Sequence, residues 1–294
     1  MKNLLHLITL LLLISNANAK DLNNIKPIRV TYLANSGFLV KIGQTKLMFD
    51  GSFQNGMDLY QEPDEATVEL MKRALPPFND VSYVFISNYH ADHCDPFVLT
   101  QFMLHNTEAK LICPQQVINR LMLFTADYQS IKKRVIEATP ATNCYDRIVI
   151  GGIEVTACNL KDEKRINDHV ENIAYLVNVN GVKLFHSGDS SVETLDDLKG
   201  INLNECNIDI AFLNVLYGVG KNARQTNKLV NARYTVLMHL EKYITDRTLR
   251  TFCEHSKLSA KPYVFNIRND YHDFYINDFF TPMVDEEVLT LSQP

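Results

Sequence analysis

The sequence predicts an α/β sandwich of four layers, αββα: two β-sheets packed face to face with helices on their outer sides. Three observations point there. Strand-like apolar runs open two halves of the chain, near residues 28–50 and 146–188. Helix and strand patterns follow each group, and no low-complexity linker separates the halves. Stacking the sheets and covering their outer faces with helices buries both sets of strands. A single domain over residues 20–294 is the expected organisation, since a chain of this length supplies ample core.

The elements follow in order. “IRVTYLANSGFLVKIGQTKLMFD” (28–50) holds two or three short β-runs, broken at Asn35-Ser36-Gly37 and Gly43-Gln44. A polar stretch over 51–80 contains one helical pattern, “DEATVELMKRAL”, ahead of Pro76-Pro77. “VSYVFI” (81–86) reads as a buried strand. “DPFVLTQFML” starts a helix with Asp95 as N-cap and Pro96 at the first helical position, where its missing N–H costs nothing. “AKLIC” and “PQQVINRLML” make another strand–helix step. From Asp146 the chain is strand-rich again, with “DRIVIGGIEVTACNL” and “ENIAYLVNVNGVKLFHSGD”. Asn180-Gly181 between two apolar runs signals a hairpin, because both residues tolerate positive φ. “IDIAFLNV” and “TVLMHL” read as short strands on either side of the helix-like “KNARQTNKLVNA”. The tail offers a helix in “TDRTLRTFCEHSK” and two short strands near “PYVFNI” and “DFYI”. Residues 51–80 and 120–145 stand as insertions without an assigned role.

The first nineteen residues, “MKNLLHLITLLLLISNANA”, carry one positive charge at Lys2, an apolar run from Leu4 to Ile14 and small residues ending at Ala19. That layout predicts a secretory signal peptide, and the run is shorter than the ~20 residues a membrane span needs. An uncleaved anchor is the alternative. The mature chain is expected to be exported, periplasmic or secreted, without stable membrane insertion. A composition of 46% hydrophobic and 21% charged residues suits a globular protein. The net charge of −5, with interspersed signs, excludes a nucleic-acid surface, which needs a basic stripe. The six cysteines (Cys94, Cys113, Cys144, Cys158, Cys206 and Cys253) are sparse and form no CxxC, so their pairing stays open. The oligomeric state is likewise open.

Metal-ligand side chains gather in four places. They are His90, Asp92 and His93 in “SNYHADHCDP” directly after “VSYVFI”, His169 before “ENIAYLV”, Asp189 after “VKLFHSG”, and His239 closing “YTVLM”. Strand ends converge at one rim of a sheet, so residues distant in sequence meet there. Imidazole with carboxylate suits Zn²⁺, Fe or Mn²⁺. Each place also has an ordinary reading: a polar loop and helix cap for the first, a charged loop for His169, a helix cap for Asp189, a core histidine for His239. Cys94 reads as a ligand, a redox-sensitive thiol or the packed first turn of a helix. His186 is a substrate contact or a mere strand residue, and Tyr217 with Gly218 lies in a loop that could line a pocket. His105, His255 and His272 match nothing and read as surface residues.

Together these blocks resemble the metallo-β-lactamase fold superfamily. Its motif [S/T]-H-x-H-x-D-H is similar to “SNYHADH” at His90, Asp92 and His93, with Asn88 where the family has a histidine. “VTYLANSGFLVKIGQTKLMFD” resembles the family's first hairpin, ending in an aspartate, here Asp50. “NIAYLVNVNGVKLFHSGDSS” resembles the strand pair leading to the bridging Gly-Asp, and “VLMHL” the last ligand histidine. The likeness spans roughly residues 28–242 and is closest to the branch of bacterial lactone and phosphodiester hydrolases.

The resemblance implies one metal site from Asp92, His93 and His239, and a second from His90, His169 and Asp189, with Asp189 bridging. Asn88 makes that second site weak or empty, because an amide oxygen is a poorer donor than imidazole for Zn²⁺. One β-lactamase subgroup with an “NYH” motif works with a single zinc, but has a cysteine where this chain has Asp189. Asp50 would orient a ligand histidine through its ring N–H. The implied chemistry is attack by metal-bound hydroxide on an ester or lactone, phosphodiester or amide-type small molecule, with Asp92 and His90 catalytic and His90 as general base. Two other functions stay open: a non-catalytic metal-binding or interaction module, and β-lactam hydrolysis.

Overall fold

Residues 27–160, 169–190, 200–218, 220–255, 258 and 262–276 are described by the structure, a computed structural model. Three strands come first: β1 (Ile28–Ala34), β2 (Gly37–Ile42) and β3 (Thr45–Phe49), an antiparallel meander. Their alternation sets which side chain faces which core. In β2, Phe38 and Val40 point to one hydrophobic cluster and Leu39 to another. The break at Asn35 is a left-handed turn residue, with φ 48°.

The chain crosses through α1 (Glu65–Lys72), whose N-cap Asp64 accepts from the Thr67 N–H, to β4 (Val81–Phe85), parallel to β3. The next helix, α2 (Pro96–His105), starts as the sequence predicts, with Asp95 accepting from the Phe97 and Val98 N–H groups. Then come β5 (Lys110–Cys113), α3 (Gln115–Phe124), α4 (Tyr128–Ile131) and β6 (Val135–Glu137). The stretch 120–145 is therefore no insertion: it finishes α3 and adds α4 and β6. Neither added element is long enough for hydrophobic periodicity to show.

The second half repeats the plan. β7 (Tyr145–Ile150), β8 (Ile153–Leu160), β9 (Asn172–Val179) and β10 (Val182–His186) form an antiparallel meander. The hairpin between β9 and β10 turns on Asn180 and Gly181, at φ 51° and 90°. Parallel crossovers follow through β11 (Ile210–Asn214), α5 (Gly220–Leu229), β12 (Tyr234–Met238), α6 (Asp246–His255) and β13 (Tyr263–Val264). β14 (Tyr271–Phe274) returns to pair with β1. The sheet orders are β14-β1-β2-β3-β4-β5-β6 and β13-β12-β11-β10-β9-β8-β7.

Three apolar clusters separate four layers. The central one joins Val40, Phe49 and Phe85 of the first sheet to Val155, Tyr175 and Val236 of the second. A second packs Met48, Val84 and Leu111 under Val98, Phe102 and Leu121 of the helices; a third lies on the other side of the second sheet. This is the αββα sandwich. Because each parallel strand returns through a helix, the C-terminal ends of β3, β4, β10, β11 and β12 open on one rim, where ligands bind in such sheets. The segment read as a signal peptide lies outside the described residues. Among the described residues no helix is long and apolar enough to cross a membrane.

Phe38 and Phe212 tie the sheets together, with ring centroids 4.6 Å apart and both side chains fully buried. Phe38→Ala is expected to cost about 3–5 kcal/mol of unfolding free energy in urea denaturation. Leu123→Ala, at a solvent-exposed position, should stay within about 0.5 kcal/mol of the parent.

Candidate metal centre

The centre is built from strand ends, beginning with Asp50. This residue follows β3 at φ 41°, its N–H donating to the Phe85 carbonyl at 3.0 Å. Its Oδ1 accepts from the Ser87 N–H and its Oδ2 from the Ser87 hydroxyl, each at 2.7 Å. The same Oδ2 lies 2.9 Å from Nδ1 of His93, and all three residues are buried. A carboxylate there keeps a proton on Nδ1, which aims Nε2 into the rim.

Around that Nε2 the other groups converge. Asp92 is aligned by Asn35, whose Nδ2 donates to Asp92 Oδ2 at 3.0 Å. Asp92 Oδ2 is 3.7 Å from His93 Nε2 and 3.8 Å from His239 Nε2. Asp189 places Oδ2 2.9 Å from His93 Nε2 and Oδ1 3.5 Å from His239 Nε2. Ligand atoms of Asp92, His93 and His239 lie within 4.8 Å of one another.

The donor set fits a metal ion. Asp92 Oδ1, His93 Nε2 and Asp189 Oδ1 are buried and have no hydrogen-bond partner; even at 2.9 Å, His93 Nε2 and Asp189 are not aligned as donor and acceptor. Buried polar atoms are nearly always satisfied, so unpartnered ligand atoms on three neighbouring residues of this cluster fit a cation among them. The electrostatics agree. Burial pushes the His93 pKa down, but the fields of Asp189, Asp92 and Asp50 outweigh it and raise it well above the ordinary imidazole value. For Asp189 burial pushes upward, and His93 and His239 pull the carboxyl well below its usual range; Asp92 is lowered in the same way. The carboxylates stay ionised and demand positive charge.

Asn88 behaves differently from the sequence expectation of a weak oxygen donor. Its Oδ1 accepts the His90 backbone N–H at 2.9 Å, while its Nδ2 donates to Asp189 Oδ2 at 3.1 Å. Both neighbours fix the amide in this sense, since one is a donor and the other an acceptor. The side chain thus presents an N–H, not a lone pair, to Asp189. His90 stands partly exposed, with Nδ1 3.9 Å from Asp189 Oδ2. His169 does not join the cluster. It lies in an exposed turn whose backbone carbonyl accepts from Gln116 of α3, which ties this turn to the first sheet's helix layer.

Several other readings change. His186 is buried, its Nε2–H donating to the Ser36 carbonyl at 2.9 Å and its Nδ1 accepting the Gly188 N–H at 3.2 Å. That pins a neutral tautomer under the Asp189 turn, away from substrate. Tyr217 is buried too, bonded to Ser190 at 2.7 Å rather than lining a pocket. Cys94 packs in the outer core of the first sheet, where burial pushes its thiol pKa up, so it is the packed residue and not a reactive thiolate. The helix that Asp189 was expected to cap lies outside the described residues. The pattern did not reveal Asn35, Ser36, Ser87, Asn172, Asn214 or Tyr60. Asn172 accepts the Asp189 N–H at 3.0 Å, and the Asn214 amide lies 3.4 Å from His239 Nδ1. Only “NSG” gave any signal, as a turn.

A two-sheet sandwich with this Asp/His cluster on its shared rim is the metallo-β-lactamase fold, a class of metal-dependent hydrolases. The chain belongs to the beta-lactamase superfamily domain family, whose model matches residues 45–239. No curated protein sequence matches it. Among solved structures it is similar to Igni18, a metallo hydrolase from the archaeon Ignicoccus hospitalis. Identity there is 14%, coverage 86% of this chain and 100% of the other, and the TM-score 0.56. It is similar to the metallo-beta-lactamase fold protein YhfI from Bacillus subtilis at 16% identity, 84% and 99% coverage and TM-score 0.57. CmlA, a diiron beta-hydroxylase from Streptomyces venezuelae, matches at 11% identity, over 86% of this chain and 54% of CmlA, with TM-score 0.57. At these identities the likeness shows the fold alone, and the fold carries more than one metal chemistry.

Asp50→Asn tests the orientation of His93. An amide N–H₂ facing Nδ1 would force the ring proton onto Nε2, opposing a metal there. Zinc affinity, read by competition with a chelating indicator, is expected to fall about 10–100-fold.

Proposed function

We propose that this chain is an exported hydrolase that uses one divalent metal ion, held by Asp92, His93 and His239 and faced by Asp189. The observation that carries the reading is the convergence of buried ligand atoms of Asp92, His93 and His239, all within 4.8 Å of one another, with Asp189 facing His93 and His239. Zn²⁺ suits this imidazole and carboxylate set, with Fe and Mn²⁺ as the other candidates. Such an ion lowers the pKa of water and polarises a carbonyl or phosphoryl oxygen.

The chain's own groups do the rest. Asp50 holds the His93 ring proton on Nδ1. Asp92 and Asp189 keep their charge and balance the ion, while Asn88 donates to Asp189 and fills the place of a second one. His90, partly open to solvent beside Asp189, is positioned to carry a proton between substrate and bulk water. An ester, lactone, phosphodiester or amide-type small molecule fits this chemistry. The catalytic roles of Asp92 and His90 belong to this reading.

Elemental analysis of purified, metal-replete protein should find close to one tightly held ion per chain, and Asn88→His should raise that number. Two tightly held ions in the parent would sink the single-ion reading. On a panel of lactones, phosphodiesters, thioesters and β-lactams, turnover on at least one class should vanish in His93→Ala. No turnover on any class by metal-loaded protein would favour a binding module, the reading that the altered Asn88 motivates. β-Lactam hydrolysis rests only on “NYH” and the export signal, and ranks below the others.

Export rests on the layout of residues 1–19. N-terminal sequencing of protein recovered from the exported fraction of an expressing bacterium should begin at Lys20. A product retained in the cytoplasm with Met1 intact would overturn it.

A further inference from the structure

The segment between β3 and α1 read as an insertion, yet it lies on the metal centre. Ser52 bridges to Cys94, and its carbonyl accepts the Asp95 N–H at 2.8 Å. Gly56 rests on the backbone of Asp92: a Cβ there would sit 3.2 Å from Asp92 Cα. Tyr60 pairs antiparallel with Glu241, two residues past His239, and the Leu59 carbonyl accepts the Lys242 N–H at 2.9 Å. These backbone contacts bring the Tyr60 ring onto the His239 imidazole, with centroids 4.2 Å apart and planes 37° apart. Both residues are buried.

His239 needs such support. It sits at φ 61°, left-handed for a residue with a Cβ. That conformation is strained and persists only where neighbours enforce it. Its N–H reaches the Asn35 carbonyl at 3.5 Å, and Asn214 lies 3.4 Å from Nδ1. An aromatic ring this close, tilted 37° to the imidazole, packs against it and limits how that ring can turn.

We propose that Tyr60 is a positioning residue of the metal centre: packed against His239, it sets the imidazole plane for ligation and closes that face to water. The proposal rests on the reading of His239 as a ligand. Residues 51–62 are then part of the centre and not a surface insertion.

The test uses the full chain with Tyr60→Phe, Tyr60→Leu and Tyr60→Ala. Zinc dissociation constants are measured by chelator competition, the visible spectrum is recorded with Co²⁺ in the site, and thermal unfolding is followed with and without metal. Tyr60→Phe keeps the ring and should match the parent. Tyr60→Leu and Tyr60→Ala should bind zinc about 10–100-fold more weakly, with shifted Co²⁺ bands. The metal-free Tm of Tyr60→Leu should stay near the parent's while the rise in Tm on adding zinc shrinks. If the alanine variant fails to fold, the leucine variant decides. Parent-like affinity and spectrum in Tyr60→Leu would overturn the proposal. So would a lowered metal-free Tm with an unchanged zinc response, which marks a packing role only, or an equal loss in Tyr60→Phe, which would assign the effect to the hydroxyl. A parent that binds no metal, or a His239→Ala variant that binds as tightly, would remove the ligand reading itself and the proposal with it.

Discussion

Three carboxylates, Asp50, Asp92 and Asp189, lie buried around one imidazole at the rim of this molecule. Buried charges of like sign this close are untenable unless positive charge stands among them. Every polar contact at the rim serves that constraint. Ser87 and His93 neutralise Asp50, Asn35 steadies Asp92, and Asn88 with the Asn172–Asp189 contact steadies the third. Among the atoms these contacts leave unsatisfied are a ring nitrogen of His93 and one carboxylate oxygen each of Asp92 and Asp189. In the proposed reading a metal ion would resolve the imbalance, so the chemistry of the site and its stability would share one cause.

Rigidity of the surrounding sandwich makes that constraint sustainable. Asp50 and His239 both occupy left-handed backbone conformations, and strain of this kind survives only where packing overdetermines it. Here the central core does so. Phe49, immediately before Asp50, stacks on Phe85 and on His186, and His186 in turn bonds the β1–β2 turn and the Gly188 turn. One apolar stack therefore holds turns from both sheets against each other. The site is shared between the two halves of the fold, and neither half carries it alone.

Substitution at one position then shapes what the scaffold does. The Asn88 oxygen accepts a backbone N–H and its nitrogen donates to Asp189, so this side chain acts at the rim as a neutral hydrogen-bond donor. Nothing else in the cluster needs to change, because the Asp92, His93 and His239 atoms converge without it. The same fold in other proteins carries other metal chemistry, so function here is set by residues at the rim and not by the sandwich.

The sequence by itself determined the strands of both meanders, the Asp95 cap, the Asn180-Gly181 hairpin, the four-layer class and the candidacy of Asp92, His93, Asp189 and His239 for one shared rim. These are legible because alternation, turn chemistry and ligand spacing are local, readable within a few residues. Tertiary structure alone decided the rest. That His169 stands outside the cluster, that His186 is a neutral prop, that the Asn88 amide points its nitrogen inward and that Tyr60 covers His239 all depend on contacts between residues far apart in the chain. A side chain's role there follows from which atom faces which partner, and sequence spacing carries no information about that. β6 was not legible for a related reason: a three-residue strand forms only because a neighbouring strand is already in place to receive it.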